Sequence, residues 1–201
     1  MTEKRVRKSP EFRRAEILAA AKKVFLEKGY KTATMEDIVA KTSLSKGGVY
    51  RYYNSKRDML HDLMVRGHEE RFLKFRQPVD VDNLTLEAVV DFIYEKICDI
   101  NEMKSIYSEF MLACKDDPEL TKLRSELFSE LTPPMARSFE NWLGGAFQDF
   151  PLQELISLTD ALIFSTEMLG SREVFTNNPD FIKSIYRSLL EEYRTNEQAN
   201  S

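Results

Sequence analysis

Two histidines, two cysteines and one tryptophan in 201 residues leave little from which to build a catalytic or metal centre. His61 and His68 lie on nearly one face of a helix, but they are far in sequence from Cys98 and Cys114 and have no matched carboxylates. No metal site is expected from them. The two thiols form no Cys-x-x-Cys pair and read as core filler, not as a disulfide scaffold. There is no phosphate-binding glycine loop and no nucleophile paired with a base, so the chain is not expected to be an enzyme and no cofactor is implied. No apolar run reaches roughly 18 residues and no basic-plus-apolar leader opens the chain, which predicts a cytoplasmic protein without a membrane span. Strand-like alternation is also missing. What remains is helical periodicity broken by Pro and Gly, and the fold class is all-α.

Charge is present in both signs but unevenly placed. Up to Arg57 there are 15 Lys+Arg against 6 Asp+Glu, and beyond it 14 against 27, within a net charge of −4. An acidic chain whose N-terminal quarter is basic can still meet a polyanion through that quarter. The polarity shift, with the loop from Gln77 to Asn83, divides the chain into a head over residues 1–57 and a body over 58–201. The arm through Lys4, Arg5, Arg7 and Lys8 is too polar to fold alone. It reads either as a solvated tail or as a strip for phosphates or the minor groove.

In the head, Ser9-Pro10 marks a helix start, apolar residues from Ile17 to Phe25 recur at helical spacing, and Gly29 stands where a left-handed cap would close it near Lys28. Thr34 with Asp37 forms a capping box that opens a short helix ending near Leu44. Ser45 caps the next, whose first turn Lys46-Gly47-Gly48 has poor helix propensity, with each Gly costing about 1 kcal/mol against Ala. Glycine there permits a close backbone approach, while Lys46 and free amides attract phosphate. Two short helices joined by a tight turn constitute a helix-turn-helix, the second being a recognition helix. Tyr53 is expected in the core, and Tyr50 and Tyr52 at the surface. Ser55 with Asp58 forms a further box, opening a long helix that fades before Pro78. Later helices are expected from about 85 to 101, 104 to 115, 118 to 131, 134 to 147, 152 to 169 and 179 to 194. That makes nine to ten in all.

The segment from Leu44 to Lys56, with Arg14 to Ala21, Phe25, Gly29-Tyr30, Thr34-Met35 and Ile38 at matching spacing, closely resembles the recognition region of TetR-type transcriptional repressors. The resemblance covers about Arg14 to Leu60, and the body beyond Leu63 is not recognisable by motif. It implies an all-α homodimer whose two three-helix heads bind half-sites of a palindromic double-stranded DNA operator. A helical bundle behind them would accept a small-molecule effector and then release the DNA. Residues carried over by position as DNA-facing are Thr34, Lys46, Gly47, Tyr50, Tyr52 and Lys56. Ser45 and Gly48 belong to the same turn, and Arg51 is the candidate bidentate reader of a guanine edge. Gly48 departs from the family pattern, which has Thr, Ser or Asn there, so one side-chain contact is missing.

In the body, aromatics and methionines mostly supply core, and a subset suits an adaptable pocket for a largely apolar ligand. The candidates are Phe92, Phe110, Met111, Trp142, Phe164, Glu167 and Met168. Glu167 sits in an apolar stretch where a buried carboxylate needs a partner, either a cationic ligand or a residue of the chain. The last two long helices carry enough apolar surface to pair with their copies in a second subunit, the alternative being that they pack entirely within one chain. The alternative to an effector-released repressor is an effector-independent DNA-organising protein of the same fold, whose body would lack a ligand-sized cavity.

Overall fold

Helical spacing in the sequence becomes helix almost wherever it occurs. The computed structural model describes residues 8–76, 85–143 and 150–199, with side chains at all of these except 71–76, 138, 141–143 and 194–199. They form α1 (Pro10–Lys28), α2 (Met35–Ala40), α3 (Lys46–Tyr50), α4 (Lys56–Arg76), α5 (Leu86–Cys98), α6 (Glu102–Cys114), α7 (Pro118–Leu143), α8 (Leu152–Met168), α9 (Arg172–Asn177) and α10 (Pro179–Ala199). No strand occurs among the described residues, and no helix there is long and apolar enough to cross a membrane. The arm over 1–7 and the loop over 77–83 lie outside the described residues.

Several helix limits differ from the sequence expectation for local reasons. Helix α2 stops at Ala40 rather than near Leu44, because the Thr42 hydroxyl donates to Val39 O (2.9 Å) and accepts from the Leu44 amide (3.2 Å). Those bonds fold the chain back on itself. Helix α7 runs through Pro133 and Pro134, where the sequence pattern predicts two helices. The rings remove donors that would serve the carbonyls of Ser129 and Glu130, and both of those residues are exposed to water. Helix α9 is an addition. Gly29 has φ 74°, as a helix stop favours, but ψ 154° makes it extended rather than left-handed helical.

The apolar side chains gather in two clusters. The first joins Ile17, Val24 and Phe25 of α1, Ile38, Val49 and Met59 and Leu60 of α4 to Ile106 and Phe110 of α6 and Leu120, Leu123 and Leu127 of α7. The second joins Val90, Ile93 and Ile97 of α5 to Leu155 and Ile163 of α8 and Ile182, Tyr186 and Leu190 of α10, with Met135 and Phe139 of α7 packed against it. Cys114 belongs to the first and Cys98 to the second. The clusters therefore divide the molecule elsewhere than at residue 57, since α6 and the first half of α7 complete the core of the head.

Candidate nucleic-acid interface and body cavity

Each helix of the head is opened by a side chain that takes up its first free amides. Ser9 Oγ accepts from the Phe12 amide (3.2 Å), and Thr34 Oγ1 accepts from Asp37 N while Asp37 Oδ2 accepts from Thr34 N, both at 3.1 Å. Ser45 Oγ accepts from Gly48 N (3.2 Å), and Ser55 and Asp58 complete a reciprocal box at the start of α4. The turn between α2 and α3 is tied to α1 by Glu16, a role the sequence reading missed. Its carboxylate accepts from the Ser43 amide (2.8 Å) and from Arg13 (2.8 Å).

Hydrogen bonding from Ser43, with Arg13 adding, holds the Glu16 carboxyl down to about 2 against an ordinary 4.5. A depressed folded-state value stabilises the fold above the unfolded value and loses that contribution as pH falls towards the folded one. Melting temperature should therefore fall more steeply between about pH 4.5 and 2 in the parent chain than in Glu16→Gln. Equal slopes would show that the turn does not depend on this carboxylate. Water still reaches part of this side chain and screens its contacts, so the expected difference is modest.

Around α3, the residues picked out from the sequence fall into three situations. Lys46, Gly47, Tyr50 and Arg51 are exposed, with Arg51 at the C-cap rather than inside the helix. Lys46 pairs with Glu36 across the turn (2.7 Å), and its ammonium lies 5.7 Å from the centre of the Tyr50 ring. A Cβ at Gly47 would meet nothing within 4 Å, whereas one at Gly48 would lie 3.3 Å from Leu44 Cβ and 3.4 Å from the capping Ser45 Oγ. Space beside Gly48 is thus tight as well as lacking a side chain. Tyr52 is half-buried against the first cluster with the Arg14 guanidinium 5.8 Å from its ring, and buried Tyr53 donates to Asp62 (2.7 Å). Thr34 and Ser45 are exposed, their oxygens engaged in the caps.

Lys56 is in the third situation. Its ammonium donates to Tyr30 O (2.8 Å), Lys31 O (3.0 Å) and Ala33 O (2.8 Å). Three donors meet three carbonyls, so the side chain that the motif assigns to phosphate instead closes the turn between α1 and α2.

The ligand candidates of the body are not brought together. Phe110 is fully buried in the first cluster and Phe92 packs against the second. The Trp142 side chain lies outside those described. Met168 is exposed, and Glu167 is paired with Arg172 and accepts from Ser105 Oγ (2.9 Å). A charge already met by Arg172 leaves Glu167 no need of a cationic ligand. Among the described residues, Met111 and Phe164 line one cavity, which lies between α6 and α8 and has a volume of about 290 Å³. Tyr107 and Ser108 complete its α6 wall, and Ser157, Asp160 and Ala161 its α8 wall. Ser157, Asp160, Ala161 and Phe164 recur at threes and fours, a spacing visible in the sequence. No signal there distinguished this face from ordinary core. Glu109, between two cavity residues, points the other way and accepts from the Tyr30 amide (3.1 Å), linking α6 to the head. No trio of His, Cys, Asp or Glu side chains suited to a metal occurs among the described residues.

Comparisons with known proteins agree with this head and fold. The family described as bacterial regulatory proteins, tetR family, matches residues 17–63. The HTH-type transcriptional regulator YfiR of Bacillus subtilis is 25% identical over 162 residues, covering 79% of this chain and 78% of that protein. The HTH-type transcriptional repressor KstR2 of Rhodococcus jostii is 30% identical over 135 residues, 66% of this chain and 62% of its own. GusR of Salmonella enterica superposes with a TM-score of 0.74 at 16% identity, covering 94% of this chain and 98% of that one, which bears on the fold alone. Over residues 17–63, then, the chain carries the helix-turn-helix DNA-binding domain of the tetR family of bacterial regulatory proteins, and its relatives over a longer stretch are HTH-type transcriptional regulators.

Proposed function

We propose that the protein is a homodimeric repressor that binds a palindromic operator through α3 and is released by a small molecule bound in its body. The observation that carries the reading is the exposed surface of α3. Lys46, Tyr50 and Arg51 stand at the surface there, and Gly47 leaves open space for a phosphate or base edge. The assignment gives Thr34, Ser45 and Lys46 to phosphate contacts at two helix starts, Tyr50 and Tyr52 to the groove wall, and base reading to Arg51. Gly47 allows close approach, and Gly48 lets α3 start close against Leu44. Lys56 acts from behind, through the turn that it holds.

Dimerisation through α8 and α10 is supported by what their packing leaves over. Leu155, Ile182 and Leu190 are buried within the chain, while Leu158, Phe181 and Ile185 remain exposed at 36%, 58% and 40%. An effector-free architectural role is the weaker reading, because the body contains a cavity near the lower end of small-molecule sites. Helix α6 gives the effector a route to the DNA. One side of it lines the cavity, and the other contributes Phe110 and Glu109 to the head. A ligand that prefers one setting of α6 shifts the spacing of the two heads, and by linkage DNA opposes that ligand by the same factor.

Selection of bound duplexes from a random pool at about 150 mM salt tests the operator half of the reading, because purely electrostatic binding is already weak there. A recovered palindrome supports it, and unselected DNA would favour the architectural role. On the recovered site, Arg51→Ala should weaken binding by about 1–3 kcal/mol and relax one base position. Equal losses on operator and random DNA would remove Arg51 as a reader.

A further inference from the structure

The cavity between α6 and α8 has an apolar floor, yet two polar groups on its wall are poorly served. Ser108 is 1% exposed and its hydroxyl has no hydrogen-bond partner among the described residues. A buried hydroxyl without a partner costs about 1–3 kcal/mol. Asp160 accepts a hydrogen bond from the Tyr107 hydroxyl at 2.8 Å. Burial pushes its carboxyl above the ordinary carboxylate value, with the more distant charge of Lys96 pulling against that. Burial and the neighbouring Asp160 likewise push the Tyr107 phenol up. The other acid of α8 that faces α6, Glu167, has the guanidinium of Arg172 beside it. Among the described residues Asp160 forms no ion pair.

We propose that this cavity binds a cationic amphiphile: a protonated amine whose N–H groups reach the Asp160 carboxylate and the Ser108 hydroxyl, with a compact apolar body against Met111, Ala161 and Phe164. The inference rests on the reading of the cavity as the effector site and adds its ligand class. Other chemistries serve the wall less well. An uncharged apolar molecule leaves Ser108 unsatisfied and brings Asp160 no cation in direct contact, so that it keeps only the pull of Lys96 and the Tyr107 hydrogen bond. An alcohol satisfies the hydroxyl but brings no charge, and a carboxylate meets Asp160 as a like charge. An ammonium supplies donors to both acceptors, and its charge is further favoured by the aromatic faces of Tyr107 and Phe164. A volume of about 290 Å³ suits one ring on a short alkyl chain.

Calorimetric titration of the full chain, without DNA, with phenylpropylamine, phenylpropanol and phenylpropionate tests the proposal. The amine should bind about tenfold tighter than the alcohol, a single step on the affinity scale, with the acid weakest. Asp160→Asn should bring the amine to the level of the alcohol while leaving the alcohol within about twofold. Ser108→Ala, which deletes an unsatisfied hydroxyl and so should fold at least as well as the parent, should weaken the amine several-fold. An alcohol that binds as tightly as the amine, an amine affinity unmoved by Ser108→Ala, or no binding of any probe overturns the proposal. Amine binding that leaves operator affinity unchanged overturns the effector reading and keeps the ligand class. Operator release by the alcohol or the acid alone does the reverse.

Discussion

Phe110→Ala should lower the unfolding free energy by about 3–5 kcal/mol, the range for deleting a fully enclosed aromatic side chain. Phe110 is 0% exposed and sits among α1, α4 and α7 residues that also hold the head together. Its loss leaves a void that close-packed neighbours fill only in part. Denaturant titration followed by circular dichroism measures the change, and operator binding should be lost with the fold. Substitution at Phe164, half-buried on the cavity wall, reads out instead in ligand binding. A Phe110→Ala chain that keeps its stability but loses a ligand would return this residue to the pocket.

Lys56→Met should destabilise the protein by about 2 kcal/mol, since hydrogen bonds to a charged group contribute about 1.5–3 kcal/mol and this site is only partly buried. Methionine preserves the length of the side chain and removes its three donors. The carbonyls of Tyr30, Lys31 and Ala33 then face one another without a cation between them. DNA affinity should fall because the α1–α2 turn loosens, with the dependence of log affinity on log salt unchanged. A direct phosphate contact predicts the opposite pattern, a slope lower by about one at unchanged stability. Thermal melting and salt-dependent binding on one variant separate the two.

The contrast between Lys46 and Lys56 marks how far the sequence is legible. Both are lysines at the start of a helix in a basic head, and the motif treats them alike. Capping boxes, the turn and the helices themselves follow from residues within four positions of one another, so Thr34-Asp37 and Ser55-Asp58 were readable. What Lys56 touches lies 23 to 26 positions away, at carbonyls whose orientation exists only once α1 has ended at Gly29. The body shows the same limit. Helical periodicity separates buried faces from exposed ones but does not say which buried face is solid and which encloses space. Phe110 and Met111 are adjacent in sequence, yet one fills the core and the other lines the cavity. Glu167 raised the right question about a buried carboxylate, and Arg172 answers it. Asp160, seven residues earlier on the same helix, is where that question stays open.

Leu120, Leu123 and Leu127 of α7, together with Ile106 and Phe110 of α6, finish a core that begins at Ile17. The head is therefore not a portable cassette. A chimera that joins residues 1–57 to the body of another regulator exchanges the core residues of α4, Met59 and Leu60 among them, together with the α6 and α7 wall against which α1 closes. Its success depends on whether the foreign helices present the same shapes at those five positions and along α4. Change at the ligand end is constrained accordingly: the α8 wall of the cavity can vary without touching the head, whereas α6 and the first half of α7 must keep the shapes that close the DNA-binding end.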